Sequence, residues 1–207
     1  MNARTQRFQL AGPVGVIEAL RDTPLDAASR GIAVIAHPHP LFGGTMENKV
    51  VQTMARAFMA CGWTAVRFNF RGVGASEGTY DEGRGEVQDM LDVVREVAPE
   101  GPLALAGFSF GSYVASRVVE LLWPLREIEK VVLVGTAVSR FDVATLPADA
   151  HERTLVIHGE QDDTVPLAEV LDWARPQSLP VTVVPGGEHF FHGQLPLLKN
   201  LVARHLR

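Results

Sequence analysis

Short apolar runs alternate with helix-spaced segments along nearly the whole chain, and this alternation restricts the possible folds more than any other property of the sequence. The runs occupy residues 32–36, 64–69, 103–107, 130–135, 154–158 and 181–184, and they read as buried strands. Between them Val50, Met54 and Phe58 recur at four-residue spacing, and Val87, Met90, Leu91 and Val94 at i, i+3, i+4 and i+7. Val114, Val118, Leu121 and Leu122 obey the same rule, as do Leu197, Leu198, Leu201 and Val202. Two weakly alternating segments, residues 7–10 and 15–20, add candidate strands ahead of these. Strand followed by helix, repeated, predicts an α/β fold: a mostly parallel eight-stranded sheet with helices on both faces. A chain of 207 residues suits one hydrophobic core, so a single domain over residues 1–207 is expected.

Composition narrows the function classes. The net charge is -5 and the 19 basic residues are scattered, which is not the basic stripe of a nucleic-acid binder. One cysteine, Cys61, rules out an internal disulfide framework and a multi-cysteine metal site, and suits a reducing compartment. The opening segment MNARTQRFQL lacks the apolar stretch of a signal peptide, and no apolar run is long enough to span a bilayer. The expectation is a cytoplasmic protein, a monomer or homodimer, with no nucleic-acid or membrane partner.

In open parallel sheets ligands bind at the carboxyl ends of the strands, so chemistry is sought in the segment just after each apolar run. Those segments are HPHPLFGG, FRGVGASEG, GFSFG, HGEQDDTVP and PGGEHFFHG. Gly107-Phe108-Ser109-Phe110-Gly111 lies between a candidate strand and a candidate helix, the context of a nucleophile elbow. Glycines two before and two after Ser109 allow a turn sharp enough to present its hydroxyl, and the next helix aims its free N–H groups at the same place. Outside that context the pattern would be an ordinary glycine-rich turn with a capping serine. Ser112 and Ser116 fall inside the helix and are read as spectators.

A serine nucleophile needs an imidazole base, and the base needs a carboxylate to hold its tautomer. Of seven histidines, His151 and His205 sit away from strand ends and are read as surface residues, and His158 as half-buried and structural. His189 and His192 share the loop after the last strand; His189, behind Gly186 and Gly187, is preferred. For the acid, Asp162 and Asp163 are adjacent. Asp163 precedes a short helical stretch it could cap, which leaves Asp162 for the base, with Glu160 and Glu188 as alternatives. His37-x-His39 could be a metal pair, yet the further ligands such a site needs do not accompany it, so no metal or cofactor is expected. FRGVGASEG lacks the lysine and spacing of a phosphate loop, so Arg71, Gly72, Gly74 and Ser76 are read as holding that loop. Cys61 reads as a small core residue.

With these residues in view the chain resembles an α/β-hydrolase, and HPHPLFGGTMENKVV, GFSFG, HGEQDDTVP and HFF are similar to the small, lidless serine esterases near the dienelactone hydrolases. The resemblance covers nearly the whole chain. It implies that Asp162, in the pattern formed with Gly159, Val165 and Pro166, is the catalytic acid, and that His189 is the base. The dienelactone hydrolases themselves use cysteine where this chain has Ser109. Backbone donors for an oxyanion should come from Phe110 and from the loop after the third strand, where the prolines of HPHPL leave His37, His39 and Leu41. Distance from the strand end and the family's HG-x segment point to His39, with Leu41 as alternate. Leu41, Phe42 and Phe190, together with Phe191, flank the expected site as substrate contacts or packing residues. Fewer than twenty residues separate the strands that begin at Lys130 and Thr154, which leaves no room for a lid. The chain thus reads as a serine hydrolase of small or medium carboxylic esters or thioesters acting through an acyl-enzyme. The alternatives are a catalytically silent binding protein, a peptidase or, more remotely, a dehalogenase.

Overall fold

The computed structural model describes residues 5–24 and 29–207. Its eight strands are β1 Thr5–Gly12, β2 Gly15–Asp22, β3 Ile32–Ala36, β4 Thr64–Phe68, β5 Leu103–Phe108, β6 Lys130–Val134, β7 Thr154–Gly159 and β8 Val181–Val184. They form one sheet in the order β1-β2-β4-β3-β5-β6-β7-β8. The hairpin β1–β2 and the β2–β4 pair are antiparallel, and every other neighbouring pair is parallel. Five helices accompany the sheet: α1 Lys49–Ala60, α2 Arg84–Val97, α3 Phe110–Leu122, α4 Leu167–Ala174 and α5 Leu195–His205.

Alternation along β5 shows how the two faces are filled. Leu103 and Leu105 join the core under α2, α3 and α4, with Met90, Val114, Val118 and Val170. Ala104 and Ala106 point to the other face, where α1 and α5 contribute Val50, Met54, Phe58, Leu198 and Val202. Small residues on that side leave space for the large rings of Phe58 and Trp63, both fully buried. Burying a ring such as Phe58 contributes on the order of 1.5–3 kcal/mol, and truncating it to alanine costs about 3–5 kcal/mol once the cavity is included. One expected buried strand differs: β8 has a single neighbour, so Val183 stays 37% exposed at the sheet edge. Two residues of the expected helical stripes, Leu121 and Leu197, are likewise exposed.

Polar side chains inside the sheet fix the loops that surround its carboxyl edge. Arg67 of β4 donates from Nε and Nη2 to Asp22 Oδ2 at 3.1 and 2.7 Å and from Nη1 to the Met46 carbonyl at 3.0 Å. The Met46 N–H donates to Asn69 Oδ1, and Glu18 Oε2 accepts from Asn69 Nδ2 and the Ala75 N–H. Burial pushes the Glu18 carboxyl up, but these donors and the Arg7 guanidinium outweigh it and hold it below the ordinary value. Arg71 makes a forked contact with Asp89 of α2, which keeps the residues after β4 against the helix. Cys61 closes α1, half-buried, with its Sγ 3.5 Å from the Ala203 carbonyl. Among the described residues no helix is long and apolar enough to cross a membrane. The β6–β7 connection holds only a short 3-10 segment, Ala148–Arg153, and no inserted lid.

Candidate active site

Ser109 stands between β5 and α3 with φ 56° and ψ -118°, a conformation that non-glycine residues rarely adopt. Two glycines permit it. A Cβ on Gly107 would lie 2.0 Å from the Gly111 carbonyl oxygen, and one on Gly111 would lie 2.4 Å from that of Ala36. The strain, of order 1–3 kcal/mol, is held by bonds on both sides of the serine. Its N–H donates to the Val134 carbonyl at 2.8 Å, and its own carbonyl accepts from the Ser112 N–H and hydroxyl. Ser116, also within α3, accepts from the Ala144 N–H and so ties the β6–β7 connection to the helix.

The loops after β7 and β8 bring two further side chains to this serine. His189 Nε2 lies 3.0 Å from Ser109 Oγ, and its Nδ1 lies 2.7 Å from Asp162 Oδ2. The other carboxylate oxygen, Oδ1, accepts the N–H groups of Thr164 at 3.0 Å and Val165 at 2.8 Å. Burial pushes the Asp162 carboxyl up, yet the hydrogen bond and charge of His189 and the Val165 N–H outweigh it, so the group is held below the usual carboxylate range. An array of this kind lets the imidazole take a proton from the hydroxyl while the carboxylate holds the tautomer and steadies the imidazolium.

His158 is fully buried rather than half-buried, because it lies one residue inside the end of β7, bonded to the same loop. Its Nε2 donates to the Val165 carbonyl at 2.8 Å and sits 3.4 Å from Asp162 Oδ2, while Nδ1 has no partner among the described residues. Burial keeps its pKa below the ordinary histidine value. Asp163 does not cap α4 as its position suggests: it is exposed and touches only the Thr164 hydroxyl, and Pro166 precedes the helix without a side-chain cap. The turn-forming acceptor is Asp162, since the chain folds back onto its Oδ1. His192 is exposed beside Glu188, and Glu160 accepts from the Gly186 N–H. His151 and His205 are half-buried, not surface residues, each bonded to a backbone carbonyl, those of Leu146 and Arg153.

After β3 the roles separate differently. His37 is buried, with Nδ1 donating to the Pro38 carbonyl at 2.6 Å and Nε2 accepting from the Phe70 N–H at 3.1 Å. Burial lowers its pKa to about 3. Both nitrogens are therefore spent on backbone. His39 has extended torsions, φ -52° and ψ 125°, and its ring accepts from the Leu41 N–H at 3.2 Å. That bond occupies the Leu41 N–H, the alternate oxyanion donor. The N–H groups of His39 and Phe110 donate to no acceptor among the described residues. Among those residues no three His, Cys, Asp or Glu side chains gather into a possible metal site.

A cavity of about 370 Å³ opens over Ser109 and His189, lined also by His39, Phe42, Phe110 and Phe190. His39 packs on Phe110 and Phe42 with centroids 5.0 and 4.8 Å apart. Leu41 is 67% exposed and does not line the cavity, because the 3-10 turn Pro40–Phe42 swings it outward. Phe191 also departs from the expected flank: with φ 51° it turns into the core beneath α5. Sequence reasoning missed Asn48, Ala137, Arg140, Phe141 and Thr164 as lining residues, and Val165, named only in the pattern around Asp162, lines the cavity as well. Arg140 and Phe141 come after a strand end as the other site residues do, and that position is the signal that could have found them.

The chain matches known proteins along most of its length. The family Hydrolase_4, described as serine aminopeptidase, S33, matches residues 28–151, a span that includes Ser109 and ends before Asp162 and His189. An uncharacterized protein, RP471 of Rickettsia prowazekii, is 31% identical over 191 residues, covering 87% of this chain and 79% of the relative. The structure of XC6422 from Xanthomonas campestris, described as an α/β serine hydrolase without lid, superposes with a TM-score of 0.88 at 36% identity, over 100% of this chain and 95% of that one. An α/β serine hydrolase homologue from Coxiella burnetii gives a TM-score of 0.82 at 37% identity, over 98% and 97%. The strand order, the strained serine elbow and these likenesses agree, and the chain belongs to the Hydrolase_4 (serine aminopeptidase, S33) family of α/β serine hydrolases.

Proposed function

We propose that this protein hydrolyses small or medium carboxylic esters or thioesters through an acyl-enzyme, with Ser109 as nucleophile, His189 as base and then acid, and Asp162 orienting the imidazole. The observation that carries the reading is the pair of bonds at His189, 3.0 Å to the serine hydroxyl and 2.7 Å to the carboxylate. As Ser109 Oγ attacks the carbonyl carbon, its proton passes to His189 Nε2, and the oxyanion is received by the N–H groups of Phe110 and His39. Collapse of the tetrahedral species breaks the ester bond, and His189 returns the proton to the departing alcohol or thiol. Water then enters by the same route, giving the acid and free serine. The dipole of α3, aimed at the elbow, adds to the stabilisation.

A peptidase reading is suggested by the family's description. An aminopeptidase must hold a substrate ammonium group, which needs an acidic partner, and among the described residues that line the cavity there is no Asp or Glu. Ester cleavage is therefore the better-supported reading. A fluorophosphonate should add to the protein once, and Ser109→Ala should abolish the adduct; labelling that survives this change would overturn the assignment. On p-nitrophenyl esters activity should peak at about two to six acyl carbons, because each methylene contributes about 0.8 kcal/mol only while it meets apolar wall. Highest activity on chains of about twelve carbons or more would contradict an open cavity of this size.

A further inference from the structure

Among the described residues that line the cavity, Arg140, itself exposed, is the one formally charged side chain, and no carboxylate accompanies it. Among the described residues its guanidinium has no ion-pair partner or side-chain hydrogen bond; it lies 5.9 Å from the centroid of the Phe42 ring. Phe42 packs on His39, and His39 on Phe110, so the cation is linked by ring contacts to the residue next to Ser109. Burial, and next the charge of Arg140, hold the His39 pKa below its ordinary value, which agrees with that proximity. Lys49, outside the lining itself, holds its Nζ 5.7 Å from the centroid of the lining ring Phe190, also without a carboxylate partner among the described residues. The acids nearest in sequence to these walls stand outside the lining: Glu47 pairs with Arg7, Asp142 lies 3.9 Å from Arg117, Asp162 is bound to His189 and to the Thr164 and Val165 N–H groups, Asp163 is exposed, and Glu188 faces His192. In a protein of net charge -5, the one fixed charge among the described lining residues is thus positive.

We propose that the preferred ester carries a second, anionic group, a carboxylate or phosphate, at the end of its acyl or alcohol part, and that Arg140 receives it. A guanidinium laid on an aromatic face is weakly hydrated and keeps its fork free for two oxygens. This rests on the ester-hydrolase reading for its chemistry, but binding tests it separately. Ser109→Ala protein is titrated by NMR with three methyl esters of similar length: methyl pentanoate, monomethyl glutarate and methyl 4-phosphonobutanoate. The two anionic esters are expected to bind about tenfold more tightly than pentanoate, less so in high salt. Adding Arg140→Gln should bring the ratio near one. A ratio of one or below in the Ser109→Ala protein, or a ratio that Arg140→Gln leaves intact, overturns the proposal; an effect on only one anionic ester identifies which oxygen group is meant. If binding prefers the anions while the unsubstituted protein cleaves none of the three, the hydrolase reading fails and this one stands. Cleavage of pentanoate without anion preference means the reverse.

Discussion

Two loops meet over Ser109 and use nearly the same residues. After β3 the chain reads HPHPLFGG and after β8 it reads PGGEHFFHG, each with two histidines, a glycine pair and an exposed phenylalanine on the cavity wall. Their chemistry differs because the partners differ. His37 is clamped between a carbonyl and an N–H of the backbone and stays neutral, with a pKa of about 3. His189 is almost as buried but lies between a hydroxyl and a carboxylate, which is the setting in which an imidazole can accept and return a proton. On the proposed mechanism one loop holds a shape and offers backbone N–H groups, and the other holds a movable proton. Histidine content and spacing alone do not separate these roles.

The comparison can be broken most severely within the β8 loop. Ser109→Ala or His189→Ala should lower kcat by about 10⁴ to 10⁶, whereas His192→Ala, an exposed residue on Glu188, should change it by less than about twofold. Comparable losses for the two histidines, measured on a p-nitrophenyl ester, would end the distinction. Next in size, Asp162→Asn should cost about 10⁴ in kcat by favouring the wrong imidazole tautomer, while Asp163→Asn should cost less than about threefold. Equal effects would mean that the carboxylate pair is shared rather than divided.

The β3 loop is tested through its backbone. His39 has φ -52°, a torsion proline accepts, so His39→Pro removes the N–H at a position whose own φ suits the ring. It should lower kcat by about 10² to 10³, the usual cost of one oxyanion donor, while His39→Ala keeps the donor and should lose less than about tenfold. A proline variant as active as the alanine variant would move the second donor elsewhere.

The last effect concerns stability rather than rate. Folded His37 stays unprotonated down to about pH 3, while in the unfolded chain it takes up a proton near 6.5. Between those values the unfolded state binds more protons, so the contribution of a neutral His37 is full above pH 6.5 and is lost as the pH falls toward 3. The slope attributable to this residue approaches about 1.4 kcal/mol per pH unit. Urea unfolding at several pH values should show His37→Gln to be less stable at neutral pH but less sensitive to acid. Parallel pH curves for the two proteins would show that the ring is not what acid attacks.

The strands, the helices and the elbow were legible in the sequence because each is written in local pattern: apolar runs, spacing of three and four, and two glycines bracketing a serine. The same is true of which loops carry chemistry, since strand ends are located once the strands are. Direction of side chains within those loops was not legible. Asp162 rather than Asp163 faces His189 because the backbone of Thr164 and Val165 folds back onto one carboxylate oxygen. Phe190 faces the cavity and Phe191 the core because φ at Phe191 is positive, and Leu41 points away because a 3-10 turn carries it out. Arg140 reaches the cavity wall on the β6–β7 connection, which is tied to α3 where the Ala144 N–H donates to Ser116. The sequence by itself determined the architecture and the short list of candidate site residues, since both rest on contacts between near neighbours. Tertiary structure decided which atoms meet: a loop's torsions are set by bonds to segments distant in the chain, and one rotated peptide exchanges a buried partner for solvent.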